Sequence, residues 1–232
     1  STATTALNNV FIGRSAGEDI PAGQALDGAV AIGWEAFKGG GSTTTGADNT
    51  IAIGKEALKS LTTGARNTAI GYQVADSVTD GADNTVVGFQ ALASAAGNET
   101  ANTAIGAYAM GSINHADSDA NTAIGYQALK GSSISINSNV AVGYQAMSGS
   151  TNSDGSIAIG REAMKGALES TSSGTVGIGR SALAALTEGS GNVAMGFEAL
   201  KNVTAGQQNI AIGYEAAEGF SVGESNNIAI GY

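Results

Sequence analysis

The chain has 232 residues, a formal net charge of −10 and no cysteine, and only 13% of its residues are charged. Hydrophobic residues make up 42% of it, so we expect an ordered protein. Because there is no cysteine, it cannot form disulfides. The acidic balance argues against a nucleic-acid partner, because no basic stripe is available to neutralise phosphates. No apolar run approaches the roughly 20 residues of a membrane span.

One short motif recurs from one end of the chain to the other, in its clearest form as Asn-Thr-Ala-Ile-Gly-Tyr-Gln-Ala-Leu at residues 121–129. Its copies align on the glycine that closes each apolar segment, which we call the anchor and count as position 0. The mean spacing of the anchors is about 18 residues, and a fixed period of this kind predicts a solenoid. The thirteen anchors are Gly13, Gly33, Gly54, Gly71, Gly88, Gly106, Gly125, Gly143, Gly160, Gly179, Gly196, Gly213 and Gly231.

Each copy begins with a segment of alternating side chains. Position −3 is β-branched, position −2 is Ala in ten of the thirteen copies, with Phe11, Val86 and Gly177 as departures, and position −1 is Ile, Val or Met. This is the period-two pattern of a strand. So short a strand must stack on its own copies, and we expect the large residues to face inward and form the core. The predicted core residues at position −1 are Ile70, Val87, Ile105, Ile124, Val142, Ile159, Ile178 and Ile212.

These features predict an all-β fold: a parallel β-solenoid, or β-roll, of about 12–13 coils of about 18 residues each. Residues 1–232 are expected to form one repeat domain, as a fragment of a fibre protein or a processed one. Along the chain, the first two spacings are the longest and include Trp34. From Thr68 to Thr122 position −3 is Thr in four copies, also expected to face inward, and the later copies return to Val and Ile.

Asparagine recurs at position −4. Stacked in register, such amides can hydrogen-bond from coil to coil, and asparagine also tolerates the tight corner at the start of a strand. A structural ladder is therefore favoured over a ligand site. Its predicted members are Asn67, Asn84, Asn102, Asn121, Asn139, Asn192 and Asn209.

After the anchor the pattern changes to strong helix formers, as in Glu56-Ala57-Leu58-Lys59. This composition predicts a short helical turn on the second side of each coil, with a second short strand as the alternative.

An aromatic residue often follows the anchor directly. Such a column could pack at an interface between chains or present ring faces to a sugar receptor, and packing is favoured because Arg and Lys share the same position. The candidate interface or glycan contacts are Tyr72, Phe89, Tyr126, Tyr144, Phe197 and Tyr214.

Residues suited to catalysis or metal binding are sparse. His115 is the only histidine and there is no cysteine, so a zinc site is not expected. Calcium remains open, because Asp80, Asp83, Asp117 and Asp119 carry hard oxygen ligands, although no known calcium-loop spacing is present. We expect no cofactor.

Two further alternatives concern the outer surface of the coils. Glutamates at position +2 of adjacent coils, Glu35 with Glu56 and Glu198 with Glu215, would lie about as far apart as the carboxylates of a retaining glycosidase. A tailspike-like enzyme that degrades polysaccharide is therefore one alternative, although we expect no enzyme. An ice-binding solenoid is the other, and it requires a flat outward array of threonines.

The repeat resembles that of bacteriophage tail-fibre proteins and is similar to the shorter repeat in the head domains of trimeric autotransporter adhesins. The motif that carries the resemblance, Asn-Thr-Ala-Ile-Gly-Tyr-Gln-Ala-Leu, recurs from about Asn8 to Tyr232. The resemblance implies a homotrimeric stalk or adhesive head on a virion or a cell surface.

The sequence therefore predicts a structural fibre or filament segment outside the cell, on a cell surface or on a virion. Its expected partner is itself, as a homotrimer or an end-to-end polymer. A cell-surface glycan receptor is a further expected partner.

Overall fold

The structure is a computed structural model that describes residues 8–20, 26–40, 46–95, 97–113, 118–131, 136–166, 168–169 and 172–232. The chain forms two compact units, Ser1–Asp119 (unit 1) and Ala120–Tyr232 (unit 2). Each unit is described separately below.

The described residues contain thirteen strands of three residues each, and every strand ends one residue before an anchor glycine. In unit 1 they are β1 (Val10–Ile12), β2 (Val30–Ile32), β3 (Ile51–Ile53), β4 (Thr68–Ile70), β5 (Thr85–Val87) and β6 (Thr103–Ile105). In unit 2 they are β7 (Thr122–Ile124), β8 (Val140–Val142), β9 (Ile157–Ile159), β10 (Val176–Ile178), β11 (Val193–Met195), β12 (Ile210–Ile212) and β13 (Ile228–Ile230).

Within each unit, consecutive strands pair in parallel and with the repeats in register. Ile124 of β7 lies beside Val142 of β8, which lies beside Ile159 of β9. Parallel neighbours joined by a full turn of chain, strand after strand, make each unit a β-solenoid. The predicted solenoid and its period of about 18 residues are confirmed.

The prediction that the large strand residues form the core is wrong. The small residue at position −2 is the one that faces inward, and Ala52, Ala104 and Ala123 have no exposed surface. The residues at position −1 lie on the outside: Ile70, Ile105, Ile124 and Ile212 are 38% exposed and Ile159 is 39% exposed, while Val87, Val142 and Ile178 are half-buried. The threonines at position −3 face outward as well, with Thr85 exposed.

The narrow cross-section of the coil explains this reversal. The inner side of each strand packs against the segment that follows the anchor, where most coils have Ala at position +3 and Leu or Met at position +4. At position −2 of β10 even alanine is too large: a Cβ on Gly177 would lie 2.7 Å from Cγ of Met164. In most coils only a methyl group or less fits between strand and opposite wall, so the branched side chains point out. Val86, buried at position −2 of β5, is the exception, and it follows the coil whose position +4 is the small Ala75.

The segment after the anchor is not helical, and the described residues contain no α-helix. Glu56 and Leu58, at positions +2 and +4, have positive φ angles of 58° and 48°. Their amides donate to neighbouring coils, to O of Trp34 at 2.8 Å and to O of Val74 at 3.0 Å, instead of to a residue four positions earlier. The predicted helical turn is therefore wrong, because bonds between coils replace the bonds within a helix.

The anchor glycines permit this close stacking. Gly143 has φ of 133°, and a Cβ there would lie 2.6 Å from O of Gly160 in the next coil. Both the backbone angle and the approach of the next chain require glycine. The described residues include no helix long and apolar enough to cross a membrane.

Candidate functional site: the outer surface of the coils

One outer surface of each unit is formed by its strands. We call it the strand face and define it as the outward side chains at positions −3 and −1. Because two columns of mostly Val and Ile run side by side, this face is apolar, with Thr at position −3 in β4 to β6 of unit 1 and in β7 of unit 2. No described residue of the chain covers the five isoleucines measured above, which leaves the strand face partly open to solvent.

Residues at position +1 form a second column beside the strand face, which we call the aromatic column. In unit 1 the Lys55 ammonium lies 4.3 Å from the Trp34 ring centroid and 5.4 Å from that of Tyr72. Tyr72 stacks on Phe89 with centroids 5.2 Å apart and an interplanar angle of 8°. Cations and rings therefore alternate along one line, held by cation–π and stacking contacts.

Unit 2 has an aromatic column of its own at position +1. Tyr126 stacks on Tyr144 with centroids 5.5 Å apart and an angle of 14°, and the Arg161 guanidinium lies 5.6 Å from the Tyr144 centroid. Further along, Phe197 and Tyr214 stack at 5.0 Å and 9°. Tyr72, Phe89, Tyr126, Tyr144, Phe197 and Tyr214 therefore all lie in the predicted column.

The stacking decides which part of each ring a ligand would meet. Tyr144 has Tyr126 on one face and Arg161 on the other, and Tyr72 lies between Lys55 and Phe89. Sugars pack on aromatic faces, and here the faces are turned towards neighbours in the column. The geometry favours packing over sugar binding at these rings.

Glu and Gln side chains at position +2 form a third column, a hydrogen-bonded ladder that the sequence analysis did not predict. The Gln73 amide donates to Oε2 of Glu56 at 2.7 Å, and the Gln90 amide donates to Oε1 of Gln73 at 2.8 Å. In unit 2 Gln145 donates in the same way to Gln127 at 2.7 Å. The recurrence of Glu and Gln at one position was the available signal, and it resembles the Asn pattern at position −4.

The position of the glutamates bears on the glycosidase alternative. Lys59 lies 2.9 Å from Glu35, and its hydrogen bond lowers the pKa of that carboxyl, while the hydrogen bond from Gln73 lowers the pKa of Glu56. A general acid requires a raised pKa, whereas the lowered pKa values of these two glutamates favour the ionised carboxylate. In unit 2 Glu198 pairs with Lys201 at 2.8 Å. Glu215 accepts a hydrogen bond from Tyr214, the main cause of that phenol's raised pKa.

The asparagines at position −4 are buried and hydrogen-bonded from coil to coil. Within each unit, the Oδ1 atoms accept from the backbone amide at position −4 of the next coil, as from Asn84 to Asn67 at 3.0 Å and from Asn139 to Asn121 at 3.1 Å. Each Nδ2 donates to a carbonyl at the next corner, as from Asn67 to Gly81 at 2.7 Å. The buried members are Asn67, Asn84, Asn102, Asn121, Asn139, Asn192 and Asn209.

The ladder has one imperfect rung. At position −4 Ala29 has no side chain to bridge the coils, and Thr50 follows it in the next coil. The Thr50 hydroxyl is the one buried side-chain polar atom without a hydrogen-bond partner in the described part of the chain.

The acidic residues considered for calcium serve other contacts. Asp80 accepts hydrogen bonds from Thr62 at 2.6 Å and Thr63 at 3.0 Å. Asp83 pairs with Arg66, and Asp119 accepts from the amide of Thr100 at 2.7 Å. His115 and Asp117 lie outside the described residues. Within the described ranges no three His, Cys, Asp or Glu residues form a group that could hold a metal, and no cavity is found.

In comparisons with protein-family models, curated proteins and solved structures, nothing matches this chain.

Proposed function

We propose that the chain is a structural fibre segment that assembles with copies of itself through the strand face. The observation that supports this most directly is the exposure of branched apolar side chains coil after coil. Monomeric soluble proteins rarely expose contiguous apolar patches larger than a few hundred Å². A repeated face of this kind is expected to be covered by a partner.

The size of the face supports a specific interface. In unit 2 seven strands supply fourteen outward side chains at positions −3 and −1, and seven more follow at position +1. Specific protein interfaces use about 20–30 residues on each side. One unit therefore offers enough surface for a stable contact with a second copy.

The partner is proposed to be the same chain because the face is as regular as the repeat that builds it. A second solenoid with the same strand spacing can match it coil for coil, whereas an irregular surface would meet only a few coils. The homotrimer belongs to this proposal, as do a place outside the cell and a role in adhesion. The likeness to tail-fibre and adhesin-head repeats supports them. An end-to-end polymer would join the ends of the coils instead of the strand faces, and Ile159→Lys should leave it intact.

The test is the mass of the chain in solution by analytical ultracentrifugation over a range of concentrations. We expect the wild type to sediment as an oligomer and Ile159→Lys, in the strand face of unit 2, to shift it towards monomer. Asn202→Lys adds the same charge at an exposed corner and should assemble like the wild type. A wild type that stays monomeric at every concentration overturns the proposal.

The ice-binding alternative gains one observation from the structure. Thr68, Thr85 and Thr103 point outward on neighbouring strands β4, β5 and β6, in register, instead of inward as predicted. Their hydroxyls form a short regular row with a spacing of about 4.8 Å. The test is thermal hysteresis, the gap between the melting and freezing temperatures of ice in a solution of the protein. A gap for the wild type that Thr85→Lys removes would support this second function, and a wild-type solution that freezes at the same temperature as buffer alone would exclude it.

A further inference from the structure

Tyr126 and Tyr144 are held one above the other by the coils that carry them. The amide of Gln145 donates to O of Tyr126 at 2.9 Å, and the Gln145 side chain donates to that of Gln127 at 2.7 Å. These bonds fix the backbone and the neighbouring side chains on both coils. The two phenol rings are therefore nearly parallel, at 14° and with centroids 5.5 Å apart, because the fold places them there.

Both rings are also accessible. Tyr126 is 42% exposed and Tyr144 is 45% exposed, so an oxidant can reach the phenols and the rings have room to tilt. The rings stack on adjacent coils with their centroids 5.5 Å apart, so the ring carbons of one tyrosine lie close to those of the other. The carbons ortho to the two hydroxyls are thus brought together.

We propose that Tyr126 and Tyr144 are a site of oxidative cross-linking, at which a peroxidase with hydrogen peroxide joins the two rings as dityrosine. Each phenol gives up one electron and one proton, which leaves an unpaired electron shared between its oxygen and its ortho carbons. A carbon–carbon bond forms between one ortho carbon of each ring. Each ortho hydrogen then moves as a proton to the phenol oxygen, which restores both aromatic rings.

The reaction balances without any group from the protein beyond the two phenols. The pair loses two electrons and two protons in all, and one molecule of hydrogen peroxide takes up both and becomes two molecules of water. The product is lighter than the starting chain by two hydrogen atoms. The rings must leave the stacked arrangement as the bond forms, and their exposure permits this.

Such a bond would act as a covalent staple between neighbouring coils. The chain has no cysteine and so cannot form a disulfide. A link between Tyr126 and Tyr144 closes a loop of about one coil and restricts the unfolded chain in the way that a disulfide does. The proposal does not require the proposed assembly, because both tyrosines belong to one chain, but it does require that any assembly leave the edges of these two rings open to the oxidant.

The aromatic column contains its own comparison pairs. Tyr214 and Tyr232 are a second stacked pair of tyrosines, with centroids 5.6 Å apart at 3°. Phe197 and Tyr214 stack at 5.0 Å and 9°, although phenylalanine has no phenol to oxidise. The last pair shows that replacing one tyrosine with phenylalanine is compatible with stacking.

The experiment treats the full chain with a peroxidase and hydrogen peroxide, digests it with trypsin and identifies linked peptides by mass spectrometry. Trypsin cleaves after Lys130, which separates Tyr126 in peptide 67–130 from Tyr144 in peptide 131–161. We expect these two peptides joined, with fragmentation placing the bond between Tyr126 and Tyr144. Tyr144→Phe should remove the linked pair.

Two controls decide whether the fold is responsible. Oxidation of the chain unfolded in urea should lower the yield of the Tyr126 to Tyr144 link several-fold, because the rings are no longer held together. Peptide 67–130 also contains Tyr72 and Tyr108, and neither should be joined to Tyr144. An unlinked Tyr144, equal yields folded and unfolded, or links chiefly between chains would each overturn the proposal.

Discussion

Replacing Asn139 with alanine should strongly destabilise unit 2, because this one side chain satisfies groups on two neighbouring coils. Its Oδ1 accepts the amide of Ser156 at 2.9 Å, and its Nδ2 donates to O of Ser153 at 2.7 Å. Both serines are fully buried. Asn121 keeps a donor in the variant, because the backbone amide of residue 139 still reaches its Oδ1 at 3.1 Å.

The expected magnitude follows from the two buried groups that lose their partner. A buried donor or acceptor left unsatisfied costs about 1–3 kcal/mol. The amide of Ser156 and the carbonyl of Ser153 together give about 2–6 kcal/mol. A loss of this size is a large part of the roughly 5–15 kcal/mol that stabilises an ordinary domain.

The assay is urea unfolding followed by circular dichroism, with hydrogen exchange to locate the opening. Exposed Asn202 also donates across coils, to O of Glu218 at 3.1 Å, so Asn202→Ala is the matched control and should cost less than about 1 kcal/mol. Asn139→Ser should be intermediate, because the native serine at position −4, Ser156, still accepts the next amide at 3.3 Å. If Asn139→Ala is no less stable than Asn202→Ala, the ladder does not hold the coils together.

Three further predictions test the backbone, the imperfect rung and an ion pair. Gly143→Ala should unfold at clearly lower urea concentration than Gly155→Asn. At residue 143 the added Cβ would lie 2.6 Å from a carbonyl oxygen, whereas a Cβ at residue 155 would have no atom within 4 Å. Equal urea midpoints for the two variants would contradict the close approach of the chains at Gly143. Thr50→Val should raise the melting temperature, by an amount corresponding to about 1 kcal/mol, since it removes a buried hydroxyl without a partner; a lower melting temperature would mean that the hydroxyl is satisfied. The Arg66 hydrogen bond lowers the pKa of Asp83, so the pair stabilises the fold above the ordinary aspartate pKa of about 3.9, and this contribution is lost as the pH falls through the lowered value. Arg66→Ala should therefore be less stable than the wild type at neutral pH and equally stable in acid, as measured by urea unfolding at several pH values.

The fold was predictable because its signals repeat thirteen times. Alternation at positions −3 to −1 located every strand, and the anchors gave the register that places Ile124 beside Val142. Asparagine at position −4 marked buried, hydrogen-bonded side chains. A pattern seen once would have been ambiguous, whereas a pattern at fixed spacing reports the same local structure at every coil.

Alternation shows that the two sides of a strand differ, but it does not say which side is inside. The usual preference for burying large residues pointed to Ile124, whereas the narrow coil admits only Ala123. The helix prediction failed for a related reason. Helix propensity describes a chain that bonds to itself, while Glu56 and Leu58 bond to the coils on either side. In both cases the contacts between coils, which no local window contains, decided the outcome.

The short reach of the bonds between coils has a consequence for the gene. The side-chain bonds that cross from coil to coil span 14 to 21 residues, as between Asn67 and Gly81 and between Asp27 and Asp48. Recombination that adds or removes one whole period of codons would thus leave each remaining coil with neighbours that it already fits. Met164 and Gly177 are an exception, since this methionine leaves no room for a Cβ at residue 177, and the two coils would have to be copied together. The length of the solenoid can then change by whole repeats, provided that matched coils such as these are gained or lost together.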